Sequence, residues 1–153
     1  SDKMDYEVEL GVVIGKPGRN IRAADAIQHI FGFTIVNDVT ARDLQRSDGQ
    51  WTRGKGFDTF CPLGPAIDTE LDPQEGLSII CRVNGEMRQS GSTSDMVFGV
   101  GELVSFVSSV MTLLPGDVVL TGTPSGVGPI RHGDRVEVEI EGVGVLLNPV
   151  VSA

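Results

Sequence analysis

Apolar and polar positions alternate in "YEVELGVVIG", residues 6–15. Side chains alternate across a strand, so Val8, Leu10, Val12 and Ile14 share one face and Glu7, Glu9, Gly11 and Val13 the other. The pattern predicts a strand over 6–14. "IRAADAIQHIF" carries Ala23, Ala26, Ile27, Ile30 and Phe31 near helical spacing, and Gly32 predicts the end of a helix. "FTIVND" predicts a second short strand running to Asp38, "VTARDLQR" a helical turn, "SDGQWTRGKGFDTF" a loop, "CPLGPAI" an extended segment and "DTELDPQEG" another loop. "LSIICRV", "NGE" and "MRQSGS" predict a hairpin that turns at Asn84-Gly85. "FGVGELVSFVSSVMTLL" predicts an amphipathic helix over about 99–111, and Pro115-Gly116-Asp117 a turn into the strand "VVLTG". "TPSGVGPIRHGD" predicts a long loop, and "RVEVEIEGVGVLLNPV" closes the chain with alternating strands. Strands outnumber helices, so the pattern predicts a β-rich α+β fold, a roll or sandwich with two or three short helices.

Composition narrows the picture. The 153 residues are 40% hydrophobic and 22% charged, which suits one globular domain with a sizeable core. The net charge of −9 argues against a nucleic-acid backbone or an anionic membrane as the main partner. It leaves small anionic substrates open, because a local cation reverses the field. No stretch approaches the roughly 20 apolar residues of a membrane span, and no signal peptide is visible. The two cysteines, Cys61 and Cys81, point to reduced thiols in a cytoplasmic protein, although two could form one bridge. The start is abrupt, "SDKMD" leading straight into a strand, so the natural protein is expected to extend further at its N-terminus.

The candidate chemistry begins with Glu7 and Glu9. Two residues apart on a strand face, their carboxylates lie about 7 Å apart and repel unless water or a cation lies between them. Two readings stand: a solvated outer face, or part of a site for a hard divalent cation, which favours oxygen ligands. A third carboxylate is needed to decide. Asp38 emerges from the apolar end of "FTIVND". If that strand runs beside the first, Glu7, Glu9 and Asp38 converge, leaving positions for water and substrate on Mg²⁺, Mn²⁺ or Ca²⁺. Zinc is not indicated: there is no CxxC, and His29 and His132 lack ligand spacing.

Five blocks in order, "YEVELGVVIGK", "NDVTARDLQ", "RGKGFDTFCPLGP", "NGEMRQSGSTSDMVF" and "PGDVVLTGTPSGVGP", resemble the catalytic domain of the fumarylacetoacetate hydrolase family. The resemblance runs over about 5–150. It implies the family's mixed β-sandwich roll, a homodimer or larger even assembly, and Mg²⁺ (or Mn²⁺ or Ca²⁺) held by Glu7, Glu9 and Asp38. It implies a catalytic Lys55, with Arg42, Gln45, Thr121 and Thr123 lining the substrate pocket and the "TGTPSGVG" loop gripping a carboxylate end. The substrate class it implies is a 2-oxo or 2-hydroxy-dienoic diacid of aromatic catabolism. The reaction would be an isomerisation of the 2-hydroxyhepta-2,4-diene-1,7-dioate kind or hydrolysis of an acylpyruvate C–C bond, with oxaloacetate-type decarboxylation as an alternative.

The parts also make chemical sense on their own. Lewis acidity at a chelated 1-carboxylate and 2-oxo group stabilises an enolate at C3. Lys55 adds positive charge beside the oxyanion, and Gly54 and Gly56 let the backbone approach closely. One such enolate serves isomerisation, hydrolysis and decarboxylation alike.

Family members usually carry a preceding segment that often supplies a lid with a His-Glu pair. His29, on a predicted surface helix, and His132, in a turn, match no such histidine and read as solvated side chains. A further reading is therefore a non-catalytic ligand-binding or assembly domain that kept the fold without its lid. Glu137, Glu139 and Glu141 repeat the Glu7/Glu9 spacing without a third ligand and read as a solvated face. Asp95 and Glu102 read as helix caps or decoration. Trp51 reads as a cover for the pocket or a dimer seam.

Overall fold

The computed structural model describes residues 1–152. In chain order its elements are β1 Met4–Tyr6, β2 Val8–Ile14, a 3₁₀ helix Ala23–His29, β3 Ile30–Asn37, β4 Thr40–Ala41, α1 Arg42–Asp48 and α2 Thr52–Lys55. There follow β5 Leu63–Asp68, a 3₁₀ turn Pro73–Glu75, β6 Ser78–Val83, β7 Glu86–Ser92, a 3₁₀ turn Thr93–Asp95, α3 Val100–Val110, β8 Val118–Leu120, β9 Gly128–Ile130, β10 Arg135–Ile140 and β11 Gly144–Pro149.

Three sheets result, ordered β5-β3-β2-β8, β11-β10-β6-β7 and β4-β1-β9. Every pairing among the described residues is antiparallel. Val8, Leu10, Val12 and Ile35 of one four-stranded sheet share a core with Cys81, Val136, Val138 and Ile140 of the other. This is a β-sandwich with a few short helices. The central strand β2 is buried along its whole length. The alternation of "YEVELGVVIG" therefore does not separate core from solvent: both faces of the strand are covered, and Glu7 and Glu9 are buried as well. No helix among the described residues is long and apolar enough to cross a membrane.

The hairpin at Asn84-Gly85 forms as the sequence predicts, with both residues at positive φ, the signature of a tight two-residue turn. The helix over 99–111 forms as α3, and Glu102 caps it by accepting from the Gly99 N–H at 2.9 Å. Asp95 likewise accepts from the Ser92 N–H at 2.9 Å.

Three segments differ from the sequence reading. The loop "SDGQWTRGKGFDTF" contains the helical turn α2, and the loop "TPSGVGPIRHGD" contains β9, which pairs with β1. The third difference is larger. The helical spacing of 23–31 yields only a 3₁₀ helix to His29, and β3 begins at Ile30 and runs through Gly32. Ile27 and Phe31, two of the apolar residues in that spacing, are 65% and 55% exposed. Gly32 does not stop a helix. It lets β3 lie close to β5, where a Cβ would come within 2.4 Å of the Asp68 carbonyl oxygen.

That contact is backbone, so it cannot relax by a rotamer change. Gly32→Ala should destabilise the fold by about 1–3 kcal/mol, read as a lowered urea midpoint at unchanged slope. An unchanged midpoint would contradict the packing.

Candidate metal centre

The backbone brings the three carboxylates together before any side chain is considered. Glu7 sits at the joint between β1 and β2, where the chain passes from one sheet to another. Its N–H donates to Asn37 Oδ1 at 3.1 Å, and its carbonyl accepts the Asp38 N–H at 2.8 Å. Antiparallel pairing of Val8 with Asn37 sets this register. Asp38, the residue after β3, is thereby tied beside Glu7. Glu9 lies opposite Val36 on the same strand pair. One carboxylate oxygen from each of Glu7, Glu9 and Asp38 then lies within 4.8 Å of the others. All the donors are hard oxygens, with Glu7 and Glu9 buried and Asp38 partly exposed, so the residues fit a divalent cation such as Mg²⁺ or Mn²⁺ with one side open.

Three like charges at this spacing need compensation. Lys55, at the end of α2, supplies part of it. Its Nζ donates to Glu7 Oε2 at 3.0 Å and to Asp38 Oδ2. Gly54 permits this reach, since α2 packs so closely on α1 that a Cβ there would stand 3.0 Å from the Gln45 backbone nitrogen. Burial pulls the Lys55 ammonium down, but its bonds to Asp38 and Glu7 and their charges more than offset that and hold its pKa above the ordinary value. Arg42, the first residue of α1, donates from Nη2 to Glu7 Oε1 at 2.5 Å, from Nε to Asp5 at 2.8 Å and from Nη1 to Gln45 Oε1 at 2.8 Å.

Glu9 has less compensation. It is 4% exposed and accepts the Gly122 N–H at 2.6 Å; Gly122 presents that N–H from a backbone at φ +93°, a conformation glycine adopts without strain. Desolvation outweighs this bond, and the charges of Asp38 and Glu7 add to it, raising the Glu9 carboxyl from 4.5 to about 7. Burial also raises Asp38, against the hydrogen bond and charge of Lys55.

The triad opens into a cleft of about 520 Å³ lined by Lys55, Cys61, Trp51, Leu120, Gly122 and Thr123. Trp51 thus borders the candidate metal cleft, and it is 60% exposed. A second cleft, of about 730 Å³, adjoins the first through Glu7 and Thr123, and Arg42 and Gln45 line it. Glu7, Glu9, Asp38, Lys55, Arg42, Gln45 and Thr123 therefore gather around these two adjoining clefts, while Thr121 lines neither of them. The Thr121 hydroxyl donates to the Leu10 carbonyl at 3.0 Å, which commits its proton to the backbone. Thr123 Oγ1 accepts from Gln89 Nε2 at 2.8 Å, which leaves its own proton to donate.

Two residues escaped the sequence reading. Asn37 and Gln89 are both fully buried. Asn37 holds the Glu7 N–H and also donates to Asn148 Oδ1 at 3.0 Å. Gln89 accepts the Val8 N–H at 3.1 Å and donates to Thr123 and to the Pro124 carbonyl, both at 2.8 Å, tying the glycine-rich loop to β2. The only advance signal was a polar residue in an otherwise strand-like run.

Glu137, Glu139 and Glu141 do not form such a group. Glu137 pairs with Arg135 at 3.0 Å, Glu139 with Arg82 at 2.6 Å, and Glu141 accepts the Ser78 N–H at 3.1 Å. His29 bonds the Lys16 carbonyl at 3.2 Å and His132 accepts the Ser152 N–H at 3.0 Å, both outside the triad cleft. Cys61 and Cys81 are free thiols. Cys81 is fully buried, and burial pushes its thiol up to about 12.

The Glu9 shift has a signed consequence. Its folded pKa is raised, so the metal-free fold carries no penalty from this group below about pH 4.5 and a growing one as pH rises toward 7, where the buried carboxylate ionises. A cation needs the ionised form. Affinity for Mn²⁺ should therefore rise about tenfold per pH unit from about pH 5.5 to 7 and then level off. Calorimetric titration at several pH values checks this, and a flat profile over that window would contradict it.

The Fumarylacetoacetate (FAA) hydrolase C-terminal family profile matches residues 1–151. The oxaloacetate tautomerase FAHD2A, mitochondrial, of Homo sapiens is 53% identical over 163 aligned positions, covering 99% of this chain and 52% of that protein. The crystal structure of 5-carboxymethyl-2-hydroxymuconate delta-isomerase from Mycobacterium smegmatis superposes with a TM-score of 0.96 at 56% identity, over 98% of this chain and 59% of that one. The fumarylpyruvate hydrolase from Pseudomonas aeruginosa, solved in complex with Mn²⁺ and pyruvate, superposes with a TM-score of 0.93 at 37% identity, over 100% of this chain and 68% of that one. The chain thus spans about half to two thirds of the length of these relatives. Profile, identity and fold agree, and the chain belongs to the fumarylacetoacetate hydrolase family.

Proposed function

We propose that this protein is a divalent-metal-dependent enzyme that works at C3 of 2-oxo or 2-hydroxy-dienoic dicarboxylic acids, as an isomerase or C–C hydrolase. The observation that carries this reading is the convergence of Glu7, Glu9 and Asp38 within 4.8 Å, against the Lys55 ammonium, at the floor of an open cleft. A cation bound by these carboxylates supplies Lewis acidity toward the 1-carboxylate and 2-oxo oxygens of such an acid. Lys55 compensates one of the three carboxylate charges, and a divalent cation compensates the other two, so an anionic substrate meets no net repulsion from the group. The Lys55 Nζ then lies close enough to the ligand set to hydrogen-bond a developing enolate oxygen. Thr123, with its proton free, is placed to donate to a substrate carboxylate. The names of the relatives support this class, since they span tautomerisation, isomerisation and hydrolysis of related acids. The tautomerase favours keto–enol chemistry on oxaloacetate, with decarboxylation of that acid as the neighbouring reaction.

Two further statements belong to this reading. The protein works as a homodimer: Phe106, Val110 and Met111 at the end of α3 are 71%, 62% and 54% exposed, an apolar surface suited to self-association. The free thiols suit a reducing, cytoplasmic compartment.

The deciding measurement is exchange of the C3 protons of oxaloacetate or pyruvate with deuterium, followed by NMR. Exchange should require Mg²⁺ or Mn²⁺, and Glu9→Gln should lower it by more than about 100-fold. Binding of Mn²⁺ and oxalate without exchange above the rate with free metal would instead favour a non-catalytic ligand-binding domain. A solution mass equal to one chain would remove the dimer from the proposal.

A further inference from the structure

The cleft beside the candidate metal centre carries an arginine that pairs with no carboxylate among the described residues. Arg46 stands in the last turn of α1, exposed, and lines the second cleft together with Gln45, Thr123 and Ser125. Among the described residues it has no ion-pair or hydrogen-bond partner. Arg22, Arg42, Arg53, Arg82, Arg88 and Arg135 pair with carboxylates; Arg19 and Arg131 are in no ion pair among these residues either, but neither lines the clefts at the metal centre. The acids nearest to it on α1 are engaged elsewhere, Asp43 by the Ser1 hydroxyl at 2.6 Å and Asp48 by Arg53 at 2.7 Å. The two acids that share its cleft, Asp5 and Glu7, are both held by Arg42.

Position decides what such a charge can serve. Arg42 and Arg46 are four residues apart, so they lie on one face of α1 with Cβ atoms about 6 Å apart. Arg42 reaches back to Glu7, a candidate metal ligand. Arg46 therefore stands one helical turn along α1 from the arginine that grips this ligand, and lines a cleft that shares Glu7 and Thr123 with the metal cleft. A five-carbon chain spans about 5 Å between its terminal carbons. An acid that engages the metal centre through its 1-carboxylate and 2-oxo group and extends into the second cleft brings a distal carboxylate into the space that this guanidinium lines, and the planar fork suits a carboxylate.

We propose that Arg46 is a specificity-determining residue that binds the distal carboxylate of the substrate and so selects dicarboxylic over monocarboxylic 2-oxo acids. The inference rests on the metal-centre reading given under Proposed function. Arg42 does not compete for this role, because three of its donors are spent on Asp5, Glu7 and Gln45.

The test compares two acids of equal chain length, 2-oxoglutarate and 2-oxopentanoate, by calorimetric binding to the Mn²⁺-loaded protein. The diacid should bind about tenfold more tightly. Arg46→Ala should bring the ratio of dissociation constants to about one, and Arg46→Lys should leave it intermediate. Arg19→Ala removes the same charge from a turn outside both clefts and should leave the ratio as in the unaltered protein. A ratio unmoved by Arg46→Ala, or equal binding of both acids to the unaltered protein, overturns the assignment. Failure of the metal-centre reading has a different signature: neither acid then binds in an Mn²⁺-dependent way, and Glu9→Gln changes nothing.

Discussion

Three carboxylates packed within 4.8 Å of one another, on and beside a buried strand, form an arrangement that electrostatics opposes. Much of the local structure can be read as compensation for that repulsion. Lys55 reaches in from α2 to two of the acids, Arg42 grips Glu7 from α1, and the Gly122 N–H caps Glu9 from the loop after β8. Each compensating group comes from a different element. The short helices α1 and α2, which add little to the core, therefore earn their place by carrying charge to the acids. Glu9 receives only a neutral N–H and is the acid whose carboxyl moves furthest, to about 7. The unevenness leaves one candidate ligand whose carboxyl is raised toward neutrality, and a bound cation would displace its proton.

The acids are held by backbone and amide groups as well as by these charges. The Asp38 N–H on the Glu7 carbonyl, and the Asn37 side chain on the Glu7 N–H, lock two of the three acids to one another across the β2–β3 pair. Gln89 then ties the Val8 N–H to Thr123 and Pro124, which fastens the glycine-rich loop to the strand that bears Glu9. Buried amides of this kind cost stability unless every polar atom is satisfied, and both are. They make the site rigid from behind while its mouth stays open to substrate.

The open side divides the labour. Around the triad lie groups suited to polarising a 2-oxo acid: Lys55, the Gly122 loop and Thr123. Further along α1 the walls change character, from a fully engaged Arg42 to an unengaged Arg46. On the proposed reading, the chemistry falls to groups around the triad on α2 and the loop after β8, and discrimination among substrates to Arg46 on α1. A family of related reactions can be expected to vary the second while keeping the first.

Much of this was legible in the linear sequence, because it depends on local rules. The period-two pattern of 6–14, the Asn84-Gly85 turn, the capped helix at 100–110 and the alternation of 135–140 are each dictated by side-chain direction and turn chemistry within a few residues. The convergence of Glu7, Glu9 and Asp38 was also foreseeable, since antiparallel neighbours place the end of one strand beside the start of the other. Tertiary packing alone decided the rest. Residues 23–31 have helical spacing, yet pairing with β2 and β5 draws Ile30–Asn37 into a strand and leaves Ile27 and Phe31 outside. A two-residue hairpin without irregularity would set Arg88 opposite the buried Cys81. A bulge between Cys81 and Arg82 puts Gln89 there instead and turns its amide toward the site. Register shifts, sheet-to-sheet covering of both faces of β2 and the contacts of Arg42 are agreements between residues far apart in the chain, and no local pattern encodes them.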